Sequence, residues 1–219
     1  MNDDADCTTQ DAAAPSQAGE TQVFDFRKKE APVRASYRLV CPVFFVGFMG
    51  AGKTSVARKL ARNAGVAAID MDTYIERREG KKVTAIFDAV GEEGFRAIET
   101  AVLQELAAGE PVLVSCGGGV VLRPENRQIL KDSAGFVVYL KVTAAEAASR
   151  ISDVSTRPLF GDLEQAERVI EGRLALYEEV ADACVDTAGH GSGAIAREVM
   201  RLLKKEGILE MRPPVDEEA

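Results

Sequence analysis

The run Gly47-Phe48-Met49-Gly50-Ala51-Gly52-Lys53-Thr54 follows the apolar tetrapeptide Val43–Val46 and opens a stretch, Lys53–Ala64, whose apolar residues recur at helical spacing. It fits G-x-x-x-x-G-K-[ST] in the strand-turn-helix context that this pattern requires. The glycines let the main chain curl so that consecutive N–H groups point inward at an anion, and the helix turns its positive end to the same place. Lys53 can then reach the β- and γ-phosphates of a nucleoside triphosphate, and Thr54 can offer its hydroxyl to Mg²⁺. Chance would produce such an octapeptide in roughly one chain in a hundred of this length, and the flanking strand and helix make accident rarer still. Gly50, Ala51, Gly52, Lys53, Thr54 and Ser55 are the expected phosphate-binding residues.

Outward from this loop the sequence alternates short β-rich runs with longer helical patterns, which predicts βαβ units and a parallel α/β sheet. Five strands are expected: Val43–Val46, Ala67–Ile69, Val112–Ser115, Phe136–Lys141 and a weaker Ala183–Asp186, mostly apolar as strands buried on both faces should be. Helices are expected near Lys53–Ala64, Thr73–Glu79, Val83–Val90, Glu92–Ala108, Pro124–Lys131, Ala144–Arg150, Leu163–Val180 and Ser192–Lys205. Thr143 with Glu146 reads as a capping box, Pro124 suits a first helical turn, and Gly109 and Gly207 sit where C-terminal glycines belong. Phe95, Ile98, Val102, Leu103 and Leu106 form one core-facing stripe.

The chain has 219 residues, net charge −8, 46% hydrophobic and 28% charged residues, the composition of one ordinary globular domain. Its charge is uneven. Residues 1–26 hold six acids and no base, and 207–219 hold four acids against Arg212, so the body is close to neutral. Residues 1–36 are expected to be a disordered acidic extension, 37–206 the folded domain, and 207–219 a frayed tail. The acidic balance argues against a nucleic-acid-binding surface. Leu39–Gly52, the longest uncharged stretch at 14 residues, falls short of a membrane span, and the acidic N-terminus does not read as a signal peptide. Cys7, Cys41, Cys116 and Cys184 are scattered without ligand spacing, which fits reduced thiols and a cytoplasmic location.

A phosphate loop leaves the acceptor open, and the carboxyl ends of the strands are where to look for it. Strand two ends in Asp70-Met71-Asp72, whose carboxylates diverge, so that one could face metal and the other substrate; Asp72 capping the next helix fits equally. Strand three ends in Ser115-Cys116-Gly117-Gly118-Gly119, which leaves room for close approach to main chain or simply supplies a positive-φ turn. Arg96, Arg150, Arg157 and Arg173 are the candidate anion-binding cations. Arg157 lies in Ser155–Gly161, a polar stretch between helices that could close as a lid. His190 reads as a loop residue and Cys116 as a packed thiol.

These motifs in this order resemble the shikimate kinase family of P-loop kinases: GFMGAGKT at 47–54, DMD at 70–72, IFDAVGEEGFRAIE at 86–99, CGGGVVLRPENR at 116–127, RPLF at 157–160 and RLALYEEVAD at 173–182. The resemblance covers about residues 40 to 206. It implies a three-layer P-loop kinase fold, a five-stranded parallel sheet in order 2-3-1-4-5 with helices on both faces and a lid. The implied reaction is ATP-dependent phosphorylation of shikimate to shikimate 3-phosphate by a monomer. By the same resemblance Asp70 and Thr54 hold Mg²⁺ and Asp72 is the base. Arg96 and Arg173 grip the shikimate carboxylate beside Gly117, Gly118 and Gly119. Arg157 reaches the transferring phosphate, and Arg150 lies near the adenine.

The sequence departs from that pattern at Ala188-Gly189-His190, where relatives carry a basic residue on the purine side. The rival readings are a kinase for another small hydroxy acid, gluconate or aminoshikimate, and a nucleotide-binding relative without catalysis. The last would be expected to have lost Lys53, Thr54, Asp70 or Asp72, and none is missing.

Overall fold

The computed structural model describes residues 37–150 and 163–213. Two strands lie outside the main sheet, β1 (Tyr37–Leu39) and β7 (Leu209–Met211). Between them run β2 (Val43–Val46), α1 (Lys53–Ala64), β3 (Ala68–Asp70), α2 (Met71–Glu79), α3 (Val83–Ala107) and β4 (Leu113–Ser115). A 3₁₀ turn (Val120–Leu122), α4 (Pro124–Asp132), β5 (Phe136–Lys141), α5 (Ala144–Arg150), α6 (Leu163–Val180), β6 (Ala183–Asp186) and α7 (Ser192–Lys205) complete the described chain.

The five-stranded sheet has the order β3-β4-β2-β5-β6, all parallel, with Val43 opposite both Leu113 and Phe136. Counted within the sheet this is 2-3-1-4-5, as expected. Successive residues of a strand face opposite sides, and here both sides are covered. Val43, Phe45, Val138 and Leu140 pack with Leu60 of α1 and Val199 of α7, while Phe44, Val46, Val137 and Tyr139 pack with Phe95 and Leu103 of α3 and Tyr177 of α6. Burying every side chain of β2 explains why its sequence is continuously apolar instead of alternating.

Several local expectations shift. Strands β3 and β4 start one residue later than predicted, and β3 runs on to Asp70. The helices expected on either side of Gly91 form the single element α3, interrupted where Gly91 takes φ 69° and ψ −179°. Gly109 is not a left-handed cap, because α3 ends through Ala108, whereas Gly207 does adopt φ 70°. The capping box at Thr143 is half formed: Thr143 Oγ1 accepts from the Glu146 N–H, but the Glu146 carboxylate accepts from Gly189 N–H instead of turning back. The frayed tail expected from 207 does not hold at Leu209–Met211, which pairs antiparallel with β1 in the register Arg38↔Glu210. Arg38 donates to Glu210 across the ribbon at 2.7 Å. Residues 1–36 and the expected lid segment with Arg157 lie outside the described residues.

Candidate active site

Strand β2 ends in the phosphate loop, and its glycines are demanded by both conformation and space. Gly47, Gly50 and Gly52 have φ of 139°, 81° and 87°. A Cβ on Gly47 would stand 2.5 Å from the Leu140 carbonyl oxygen, and one on Gly50 2.8 Å from the Ala147 backbone. Gly47→Ala is therefore expected to cost about 1–3 kcal/mol from backbone strain, seen as a lower Tm; an unchanged Tm would show that the loop can yield. Lys53, at the start of α1, is buried, and its ammonium donates to the carbonyl oxygens of Gly47 at 2.7 Å and Phe48 at 3.0 Å.

The next residue reaches the neighbouring strands. Thr54 Oγ1 donates to Asp70 Oδ2 at 2.7 Å and pairs with Ser115 Oγ at 3.0 Å. Asp70, not Asp72, caps α2: its Oδ1 accepts from the Thr73 N–H and hydroxyl, both at 3.1 Å. That removes the capping alternative for Asp72, which lies inside the first turn of α2 and lines the cleft. A hydroxyl and a carboxylate at the foot of a phosphate loop are hard oxygen donors that fit Mg²⁺. Among the described residues no group of three or more His, Cys, Asp or Glu could hold a metal ion.

The glycine triplet after β4 is needed for room. None of Gly117, Gly118 and Gly119 is among the positive-φ glycines, which sets aside the turn explanation. A Cβ on Gly117 would stand 2.9 Å from Glu99 Oε1 and 3.2 Å from Asp72 Oδ1, one on Gly119 2.5 Å from Arg96 Nη1, and one on Gly118 3.4 Å from the Met49 nitrogen. The triplet thus touches the phosphate loop on one side and Asp72, Glu99 and Arg96 on the other.

Arg96 is held by Glu99 at 2.8 Å and by Glu92 at 3.4 Å, with its guanidinium 5.5 Å from the Phe95 ring centroid. Its buried Nε has no hydrogen-bond partner among the described residues. Arg173, on α6, lies 5.8 Å from the Phe48 ring centroid. Burial holds the Tyr177 phenol up at about 12, with Arg173 and Arg96 opposing the shift.

A cleft of about 610 Å³ is lined by residues 49–55 of the loop together with Asp70, Asp72, Gly117, Gly118, Arg150 and His190, whereas Arg96 and Arg173 are not among its lining residues. Arg150 donates to the hydroxyl and carbonyl of Thr187 at 2.9 and 2.6 Å. His190 is exposed on the loop after β6 and contacts the Ala188 carbonyl. Burial pushes the Cys116 thiol well up, as a packed thiol requires.

Two further residues belong to the site. Glu99 is buried, and burial raises its carboxyl above the usual carboxylate range, with Arg96 opposing and Asp72 adding to the shift. It falls on the same helical face as Phe95, Val102 and Leu106, and a carboxylate on that stripe was the signal available in the sequence. Tyr177, also buried, donates to the Gly118 carbonyl at 2.6 Å.

The comparisons with known proteins agree with this geometry. The family model described as shikimate kinase matches residues 49–204. The shikimate kinase of Actinobacillus succinogenes is 40% identical over 165 residues, 74% of this chain and 94% of that enzyme. That of Bordetella pertussis is 42% identical over 167 residues, 75% of this chain and 77% of the relative. Among solved structures, shikimate kinase from Acinetobacter baumannii in complex with shikimate superposes with a TM-score of 0.70 at 36% identity, covering 76% of this chain and 95% of the other. The Aquifex aeolicus shikimate kinase gives 0.67 at 28% identity, covering 76% and 98%.

Proposed function

Because the chain belongs to the shikimate kinase family, we propose that it transfers the γ-phosphoryl group of ATP to a hydroxyl of shikimate across the cleft, with Asp72 as the base. The observation that carries this reading is the glycine triplet in contact with the phosphate loop on one side and with Asp72, Glu99 and Arg96 on the other.

Shikimate is a small carboxylate with three hydroxyls. Arginine pairing to its carboxylate by Arg96 and Arg173 fixes its orientation, each charged hydrogen bond contributing about 1.5–3 kcal/mol. The partnerless Arg96 Nε supports that role, since a buried donor needs an acceptor. With the ring held, its reacting hydroxyl faces Asp72, which accepts the proton as the oxygen attacks phosphorus. Phosphoryl transfer spreads charge over the γ-phosphoryl oxygens, so catalysis is mainly positioning plus charge stabilisation. Lys53 and the loop N–H groups stabilise that charge here, and Arg157 is assigned to the same task. Mg²⁺, held through Thr54 and Asp70, would neutralise phosphate charge. Ala51, Gly52 and Ser55 complete the phosphate cradle, and Arg150 lies on the adenine side of the cleft. Among the described residues no helix is long and apolar enough to cross a membrane; the reading places the enzyme in the cytoplasm as a monomer.

A coupled ADP-release assay with ATP·Mg²⁺ and shikimate, gluconate or no acceptor tests the assignment. Turnover that requires shikimate is expected, and equal or greater turnover with gluconate would overturn it. Arg173→Ala should raise the KM for shikimate by the equivalent of about 1.5–3 kcal/mol. No change in that KM would contradict the carboxylate clamp.

A further inference from the structure

The sheet order gives the cleft two sides. Asp70 and Asp72 follow β3, on one side of the phosphate loop after β2, while α5 and the loop after β6 follow the two strands on the other side. A triphosphate whose γ-phosphoryl group points at Asp72 therefore turns its ribose and base toward α5 and residues 187–191, where Arg150, His190 and Gly191 line the cleft.

Helix α5 touches both ends of that nucleotide path. Ala147 packs so closely on the phosphate loop that a Cβ on Gly50 would stand 2.8 Å from its backbone. Glu146 and Arg150 hold the far end. The Glu146 carboxylate accepts from the Gly189 N–H at 2.6 Å, and Arg150 donates to the Thr187 hydroxyl and carbonyl at 2.9 and 2.6 Å. Thr187 is fully buried and its hydroxyl donates onward to the Lys141 carbonyl at 2.8 Å, so the start of the loop is tied to β5 as well. A Cβ on Gly189 would meet nothing within 4 Å among the described residues, so polar contacts and not packing hold this tip of the loop. Glu146 also lies 3.7 Å from the Arg150 guanidinium, one helical turn away on the same face.

A hydrogen bond from a backbone N–H to a carboxylate is stronger than one to a neutral acceptor, and a site whose parts are already fixed loses less freedom when a ligand arrives. We infer that Glu146 is a positioning residue for the nucleotide: through the Gly189 amide and Arg150 it fixes the base side of the cleft at a set distance from the phosphate loop. The inference rests on the reading of the cleft as an ATP site, and ligands with and without a base separate the two.

The test is calorimetric titration of the full chain, parent and Glu146→Ala, with ADP in the presence of Mg²⁺ and separately with inorganic tripolyphosphate, beside a Tm and steady-state kinetics. Alanine keeps α5 a good helix. Glu146→Ala is expected to weaken ADP about tenfold, the loss of one charge-assisted hydrogen bond, and to leave tripolyphosphate, which has neither base nor ribose, within about twofold. The KM for ATP should rise by the same factor while kcat and the KM for shikimate stay within about twofold. An ADP affinity equal to that of the parent overturns the positioning role and leaves the ATP site standing. Equal losses for ADP and tripolyphosphate, with or without a lower Tm, also overturn it, because the effect then lies in the phosphate loop or the fold. A parent that binds neither ligand removes the ATP reading and this role together.

Discussion

Asp72→Asn lowers kcat by about 10²–10⁴ while the KM for ATP changes little, the size expected for the loss of a positioned general base. The reason is local. Asp72 sits in the first turn of α2, where Asp70 has taken the capping role, and it lines the cleft. It faces Gly117 across a gap in which a single Cβ would touch both Asp72 and Glu99. Asparagine keeps that shape but cannot take a proton, so binding should survive and chemistry should not. Steady-state ADP release with shikimate and ATP each varied decides the matter, and a kcat equal to that of the parent would strip Asp72 of the role.

Lys53→Met should lower kcat by about 10²–10³, the scale for removing one charge-stabilising donor from a preorganised site. Lys53 is buried at the start of α1 and held by the Gly47 and Phe48 carbonyls at 2.7 and 3.0 Å, so its charge is fixed beside the loop N–H groups before any phosphate arrives. Methionine keeps the unbranched four-atom stem and drops the ammonium. A folded variant of unchanged Tm and near-parent kcat would mean that the loop amides alone carry the transferring phosphoryl group.

The difference between what could be read early and what could not follows the range of the interactions. The phosphate loop is eight consecutive residues with conformational demands of their own, so Gly47, Gly50 and Gly52 announce it directly. The break at Gly91 was readable as well: the helices expected at Val83–Val90 and Glu92–Ala108 leave out only that residue, which takes φ 69°. Strands β1 and β7 were not, because each is three residues long and Arg38 finds Glu210 only across 172 positions of chain. Nor was the division between Asp70 and Asp72, since their spacing permits either one to cap α2.

Spacing along the chain thus determined the phosphate loop, the βαβ alternation and the candidate ionic residues, because helical and strand periods and left-handed glycines are dictated within a few residues. Only the tertiary structure decided that Glu99 is buried beside Arg96, that the glycine triplet is there for room, and that the Tyr177 hydroxyl donates to the Gly118 carbonyl. Those are contacts between the ends of separate strands and helices, and the parallel sheet is what brings them together.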